Sequence, residues 1–436
     1  MTDIPRRAAQ RTVRLASLPL GAAGRVAAGW GKRLTGATSD EVSAEFSART
    51  AEQLFVVLGE LKGGAMKFGQ ALSVFEAAIP DELAGPYREA LTKLQSAAPP
   101  MATGTVRRVL DEQLGARWRR RFATFSEEPA AAASIGQVHH AVWHDGREVA
   151  VKVQYPGADE ALRSDLRQLQ RFSRLFQALV PGLEVKPLLA ELRDRMVEEL
   201  DYRDEADNQR AFAAAFDGDP HIAVPAVVAS APKVMVSEWV TGTGLSTIIR
   251  SGARAERDGI ARRLTELHFS APGRAGLLHA DPHPGNFLLL GDGRLCVIDF
   301  GAVAKLPGGL PRTLGVLTRL AVDKRSDELL ELLRSEGFVR PGTELSAEDV
   351  LAYLAPLVEP LRCEEFHFTR AWMQSQAERI GEFGSTDFRT GRALNLPPHY
   401  LLIHRVTSGS MGVLCQLDAT APFRGFAERW QPGFAD

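Results

Sequence analysis

The feature that most constrains this chain lies beyond its midpoint. His279-Ala280-Asp281-Pro282-His283-Pro284-Gly285-Asn286 is followed, thirteen residues after the asparagine, by Asp299-Phe300-Gly301. Between the two, Gly291-Asp292-Gly293 makes a turn and the apolar run Leu295–Ile298 leads into the second acid. The segment therefore reads as loop, strand, turn, strand, acid. Asp281, Asn286 and Asp299 together form a set of hard oxygen groups of the kind that magnesium takes. Asp and Asn often do no more than stabilise turns, but two such motifs in this order and at this separation point to a site. His279 and His283 stand four residues apart, a zinc-binding spacing on a helix. Pro282 and Pro284 oppose the helix that this would need.

H-x-D-x-x-x-x-N followed by D-F-G is the pattern of the protein-kinase catalytic loop and metal-binding acid. Phosphoryl transfer accounts for each residue type: Asp281 orients a nucleophile or takes its proton, and Asn286 and Asp299 hold Mg2+. Two weaker motifs precede it in kinase order. Ala150-Val151-Lys152-Val153 is similar to the strand whose lysine holds the nucleotide phosphates. Ala131-Ala132-Ala133-Ser134-Ile135-Gly136-Gln137-Val138 sits in the frame of G-x-G-x-x-G-x-V, with Ala131 and Ala133 in place of two glycines and only Gly136 kept. Alanine stiffens and reshapes such a loop while still offering backbone N–H groups to phosphate. Val234–Val240 reads either as a plain core strand or as the strand entering a kinase hinge. In the second reading adenine bonds to the backbone at Glu238 and Val240, with Ser237 as gatekeeper. The cofactors implied are ATP and Mg2+.

AAASIGQVH, HADPHPGN and IDFG together resemble the UbiB/AarF/ADCK family of atypical kinases. Lys67-Phe68-Gly69-Gln70 matches that family's K-x-G-Q signature, and LTKLQSAAPP at 91–100 and VQYPG after Lys152 are also similar to it. The resemblance covers roughly residues 45–436. It implies an α+β, two-lobed protein-kinase-like fold with a helical N-terminal extension packed over the active site. It implies that Lys67 and Gln70 project into the cleft as regulatory residues, with Lys67 paired to Glu199 and Asp201. The residues alone leave Glu198, Glu199 and Glu205 open as partners of Lys152; the resemblance assigns Glu205. It further implies ATPase activity tied to isoprenoid quinone biosynthesis, of the ubiquinone type, and stimulated by membrane or lipid. The partners implied are ATP, prenylated quinone precursors or membrane lipid, and quinone-biosynthesis proteins. A lysine held by two carboxylates in a cleft is costly to withdraw, so the extension is expected to occlude peptide substrates. No A-P-E motif follows Gly301, so the usual peptide platform is missing as well.

The 436 residues divide on these grounds into a basic amphipathic N-terminus (1–40), a helical extension with the K-x-G-Q motif (41–128), a kinase-like N-lobe with the Ala-rich loop (129–240) and a kinase-like C-lobe (241–436). The net charge of −2 argues against a nucleic-acid partner. It conceals an asymmetry: residues 1–36 carry seven Arg and Lys against Asp3, a local +6. This segment reads as a contact for an anionic membrane surface, a solvated tail or a transit peptide. Cys296, Cys363 and Cys415 form no CxxC pair, which argues against a disulfide framework and for a reducing compartment. No apolar run reaches spanning length. The expected location is cytoplasmic, peripheral at the inner face of a bacterial membrane, without a transmembrane helix. Two alternatives to the ATPase reading are a phosphotransferase acting on a small molecule or prenyl lipid, and a nucleotide-switched lipid-binding scaffold.

Overall fold

The computed structural model of the chain describes residues 100–133, 135–158, 160, 200–382 and 384–435. The basic N-terminus, Lys67, Gln70, Ser134 and Glu199 lie outside the described residues, and with them the packing of the extension over the cleft.

The small lobe begins with helix α1 (Thr103–Leu114). Strands β1 (Phe122–Ala133), β2 (Gly136–Trp143) and β3 (Glu148–Gln154) follow as antiparallel neighbours. Helix α2 (Tyr202–Ala215), β4 (Ile222–Ala223), β5 (Val227–Ala231) and β6 (Val234–Glu238) complete this half of the chain. The sheet order is β1-β2-β3-β6-β5. In β3 the valines at 149, 151 and 153 are fully buried and pack with Val234 and Val236 against Val109, Leu110 and Trp118. Because strand side chains alternate, the same residues that anchor β3 to α1 turn Lys152 to the opposite face. There Tyr202 and Ala206 of α2 pack on Ile135 and Met235.

Extended structure starts at Phe122, ahead of the change of texture read at residue 129. The signal is weak because β1 is an edge strand with an exposed, charged stretch at Ser126–Glu128 and irregular register against β2. The alanine segment also differs from the expected open loop. Ala131, Ala132 and Ala133 continue the ladder opposite Val138, Gln137 and Gly136, so the crossover is a tight hairpin tip.

The large lobe starts at β7 (Gly242–Gly244), α3 (Leu245–Ser251) and the long α4 (Arg254–Ala275). Short strands β8 (Leu277–His279), β9 (Phe287–Leu290), β10 (Leu295–Val297) and β11 (Val303–Lys305) carry the two polar motifs. Here β9 and β10 form an antiparallel pair and β8 pairs with β11. Helices α5 (Arg312–Val322), α6 (Ser326–Ser335) and α7 (Ala347–Val358) come next. They are followed by β12 (Phe366–Phe368), α8 (Arg370–Gly381), α9 (Thr386–Ala393), α10 (Pro398–Leu417), β13 (Ala419–Ala421) and α11 (Phe423–Trp430). One apolar cluster runs from Phe212 and Phe300 through α4 to α10 and α11, so the core is continuous from the motif loops to the C-terminal helices. No helix among the described residues is long and apolar enough to cross a membrane.

Candidate active site

Lys152 reaches across the cleft to two carboxylates. Its Nζ donates to Glu205 Oε1 at 2.6 Å and Oε2 at 2.9 Å, and to Asp299 Oδ2 at 3.1 Å. The Glu205 side chain is 4% exposed and that of Lys152 13%. Burial works to neutralise the Lys152 ammonium, but the Asp299 and Glu205 carboxylates outweigh it and hold the group well above the usual lysine range. The Tyr202 ring lies 5.1 Å from Nζ.

Helix α2 places Glu205. Asp201 caps its N-terminus by accepting from the Arg203 N–H at 3.0 Å, and its carboxylate also pairs with the Arg203 guanidinium. The described partner of Asp201 is thus its own neighbour. On the face that bears Glu205, Asn208 Nδ2 donates to the Phe300 carbonyl at 3.2 Å. Phe212 meets the fully buried Phe300 ring at 5.0 Å, and His279 meets it at 5.7 Å. Asn208 and Phe212 were not singled out from the sequence. Their spacing of three and seven residues from Glu205 would have put them on one helix face, but only once Glu205 was known.

Below the lysine, β8 delivers His279, whose Nε2 hydrogen-bonds the Asp299 carbonyl at 2.8 Å. The Ala280 N–H donates to the Ala302 carbonyl at 2.9 Å, tying the two loops together. Asp281 Oδ1 accepts from the His283 N–H at 3.2 Å. Pro284–Asn286 form one 3-10 turn, in which His283 Nδ1 accepts from the Gly285 N–H at 3.0 Å. Asn286, 7% exposed, donates through Nδ2 to the Asp281 carbonyl at 3.1 Å. That bond fixes the amide and leaves Oδ1 on its other side. Asp299 Oδ1 accepts from the Gly301 N–H at 3.1 Å while Oδ2 faces Lys152. No helix joins the two histidines, each ring is engaged locally, and the described residues contain no cluster of three or more His, Cys, Asp and Glu able to hold a metal. The i, i+4 zinc spacing needs both histidines on one helix, and Pro284–Asn286 make only a single 3-10 turn after His283. An amide and one carboxylate suit Mg2+ that completes its shell with phosphate oxygens and water.

Gly136 stands at the hairpin tip with an ordinary φ. A Cβ there would lie 2.3 Å from the Val153 carbonyl oxygen and 2.8 Å from the Tyr202 hydroxyl, so close packing of β2 on β3 and α2 requires the glycine. Val138 is half-buried two residues on, opposite Lys152 in the ladder. Gln137 and His139, not singled out before, form a buried polar chain. His139 Nδ1 donates to the Ser126 carbonyl at 2.8 Å, Gln137 Nε2 meets His139 Nε2 at 2.8 Å, and Gln137 Oε1 accepts from the Met101 N–H at 2.8 Å. On the strand beside β3, Glu238 ends β6 and accepts through its carboxylate from the Ala226 N–H at 3.0 Å, with Val240 two residues beyond.

A lysine–glutamate pair bridging a strand and a helix, an aspartate that follows a short hairpin, and an Asp–Asn loop beside it define a protein-kinase-like architecture. Within that class, the chain belongs to the ABC1 atypical kinase-like family, whose domain matches residues 93–332. It is 30% identical over 404 residues to the probable protein kinase UbiB of Azotobacter vinelandii, covering 87% of this chain and 71% of that one. To the mitochondrial atypical kinase COQ8B of Danio rerio it is 31% identical over 264 residues, covering 60% and 42%. A Mycobacterium tuberculosis protein solved as a complex with erythromycin is 52% identical, with a TM-score of 0.70, over 92% of this chain and all of that one. The chain spans about half the length of several of the curated relatives it matches.

Proposed function

We propose that this chain is a Mg-ATP-binding, kinase-like ATPase that supports isoprenoid quinone biosynthesis, of the ubiquinone type, at a membrane. The observation that carries the nucleotide part is Lys152 held between Glu205 and Asp299 at 2.6 and 3.1 Å. In this reading Lys152 takes the nucleotide phosphates and Glu205 holds it in place. The backbone from Ala131 through Ala132, Ala133, Ser134 and Gly136 to Val138 covers those phosphates, and the backbone at Glu238 and Val240 takes adenine. Asn286 and Asp299 hold Mg2+, which when bound neutralises phosphate charge. Asp281 orients the attacking hydroxyl or water and accepts its proton. Lys67 and Gln70, with Glu199 and Asp201, keep peptides out. The quinone part rests on the likeness to UbiB and COQ8B, and the membrane part on the basic segment at residues 1–36.

The test has two arms. Purified protein is expected to gain thermal stability with millimolar Mg-ATP and to release phosphate slowly, faster with anionic vesicles, whereas Asp299→Asn should lose both. An absent nucleotide-dependent shift overturns the ATPase reading. Lipid analysis of a deletion strain complemented with wild type or Asp299→Asn tests the pathway. Normal quinone levels in the deletion strain would refute it, and rescue by Asp299→Asn would favour a scaffold. A second reading, binding of a macrolide, is favoured by the erythromycin complex of the 52%-identical relative. Titration with erythromycin by calorimetry decides it.

A further inference from the structure

The large lobe contains an apolar cavity of about 330 Å³, walled by α4, α5, α6, α7, the segment after α9, and α10 and by no residue of the motif loops. That volume falls in the range of small-molecule sites. Leu317, Leu333, Leu354, Leu394 and Ile403 dominate its walls, and no Asp, Glu, Lys or Arg lines it. Leu357, 37% exposed, stands at its edge.

Thr318, Asn395 and Thr407 on the wall bond to the protein itself, and Tyr353, Tyr400, His404, Ser408 and Gln431 add a few further polar groups to an otherwise apolar lining. Thr318 Oγ1 donates to the Leu314 carbonyl at 2.7 Å, and Asn395 Nδ2 to the Gly337 carbonyl at 3.0 Å. Thr407 Oγ1 bonds the Ile403 carbonyl at 2.9 Å and meets His268 Nε2 at 3.2 Å. Burial keeps His268 uncharged at neutral pH. With no Asp, Glu, Lys or Arg on the wall, a charged occupant would lose its hydration without an ion-pair partner. Wet apolar walls of this extent are unfavourable, and a flexible hydrocarbon chain relieves them at least polar cost.

We propose that this cavity is a binding site for a neutral ligand built mainly of hydrocarbon, such as a long acyl or isoprenoid chain. The site is separate from the nucleotide cleft and the proposal does not depend on ATP turnover. It joins the rest of the molecule through α4, which lends Phe269 to the wall and leads directly into β8 and the Asp281 loop.

The test uses the full chain and the fluorescent apolar probe N-phenyl-1-naphthylamine. Wild type should bind the probe saturably, and oleyl alcohol or farnesol should displace it while hexanol at the same concentration does not. Preference between the first two separates acyl from isoprenoid sources. Leu354→Trp fills the space and Leu357→Lys places a charge at its edge. Each should weaken binding at least tenfold while the thermal shift with Mg-ATP stays that of wild type. Leu357→Lys changes a partly exposed side chain, so it keeps the test valid if Leu354→Trp fails to fold. No saturable binding by wild type overturns the proposal, as does wild-type affinity in Leu357→Lys together with any folded Leu354→Trp protein.

Discussion

Lys152 shows how a buried cation is kept charged. Desolvation alone would drive its proton off, and Glu205 at 2.6 Å and Asp299 at 3.1 Å prevent this. Removing the cation leaves two carboxylates facing each other without it, which typically costs about 3–5 kcal/mol at a buried pair. Lys152→Met is therefore expected to lower the unfolding free energy measured in urea by several kcal/mol and abolish the Mg-ATP thermal shift. Lys152→Met/Glu205→Met should recover much of the stability and none of the shift. The pH dependence has a definite sign. The folded pKa lies above the unfolded value, so the contribution is complete below about pH 10 and fades as pH rises through the folded value. The stability gap between wild type and Lys152→Met should be flat from neutral pH to about 10 and narrow beyond it; a gap that narrows already at pH 8 contradicts this account. Lys152, Asp281, Asn286 and Asp299 were legible because each belongs to a short motif whose spacing is set by local backbone. Glu205 was not legible from the residues alone. It lies 53 positions from Lys152, and two other glutamates in the same stretch fit equally well without knowledge of how α2 docks.

At the scale of elements, α2 decides where Glu205 points, and Asp201 decides where α2 begins. Loss of an N-cap costs about 1 kcal/mol, and Asn caps almost as well as Asp. Asp201→Ala should lower stability by about 1 kcal/mol and weaken the nucleotide shift, with Asp201→Asn close to wild type in chemical denaturation. An Asn variant as impaired as the Ala variant would show that charge pairing, not capping, is the role of Asp201. The hairpin tip offers a second check. A methyl group at Gly136 meets the Val153 carbonyl, and overpacking of this kind costs about 1–3 kcal/mol. Gly136→Ala should destabilise the protein by that amount even without nucleotide, which a purely phosphate-binding glycine would not do. β3 was legible residue by residue, since alternating valines with a lysine between them can only be a half-buried strand. β1 was hidden by its charged edge and by a run of alanines that favours no strand on composition. The Gln137–His139 chain was hidden because each partner is separated from the next by strand pairing.

The whole molecule is held together by contacts between motif residues and residues outside them: the Phe212–Phe300–His279 cluster between the lobes, in which only Phe212 lies outside the motifs, and, at the C-terminal end of α4, Asp219. This acid accepts from Arg274 at 2.6 Å and from the N–H groups of His221 and Ile222 at 2.9 Å. The helices after Lys305 were legible only as helices, because their partners are chosen by shape and burial rather than by pattern. His268, on α4, converts that burial into a pH response of the entire fold. Burial pushes its pKa down to about 4. An unfolded histidine takes up a proton below about pH 6.5, which the native ring refuses until near pH 4. Stability must therefore fall as pH drops through this window, and does so by about 2–3 kcal/mol at pH 4.5 for one group. Asp219 is held below the ordinary carboxylate range, despite a burial cost, by Arg274 and the two N–H groups. Its contribution is lost only as pH falls further, through that lowered value, so the two effects separate. Urea unfolding of wild type and His268→Gln at pH 7 and 4.5 checks this. The variant is expected to be less stable at pH 7, because it perturbs the core, and to close most of the gap at pH 4.5. A gap of the same size at both pH values would mean that His268 already titrates normally in the native protein, and that the interior around α4 is open to water.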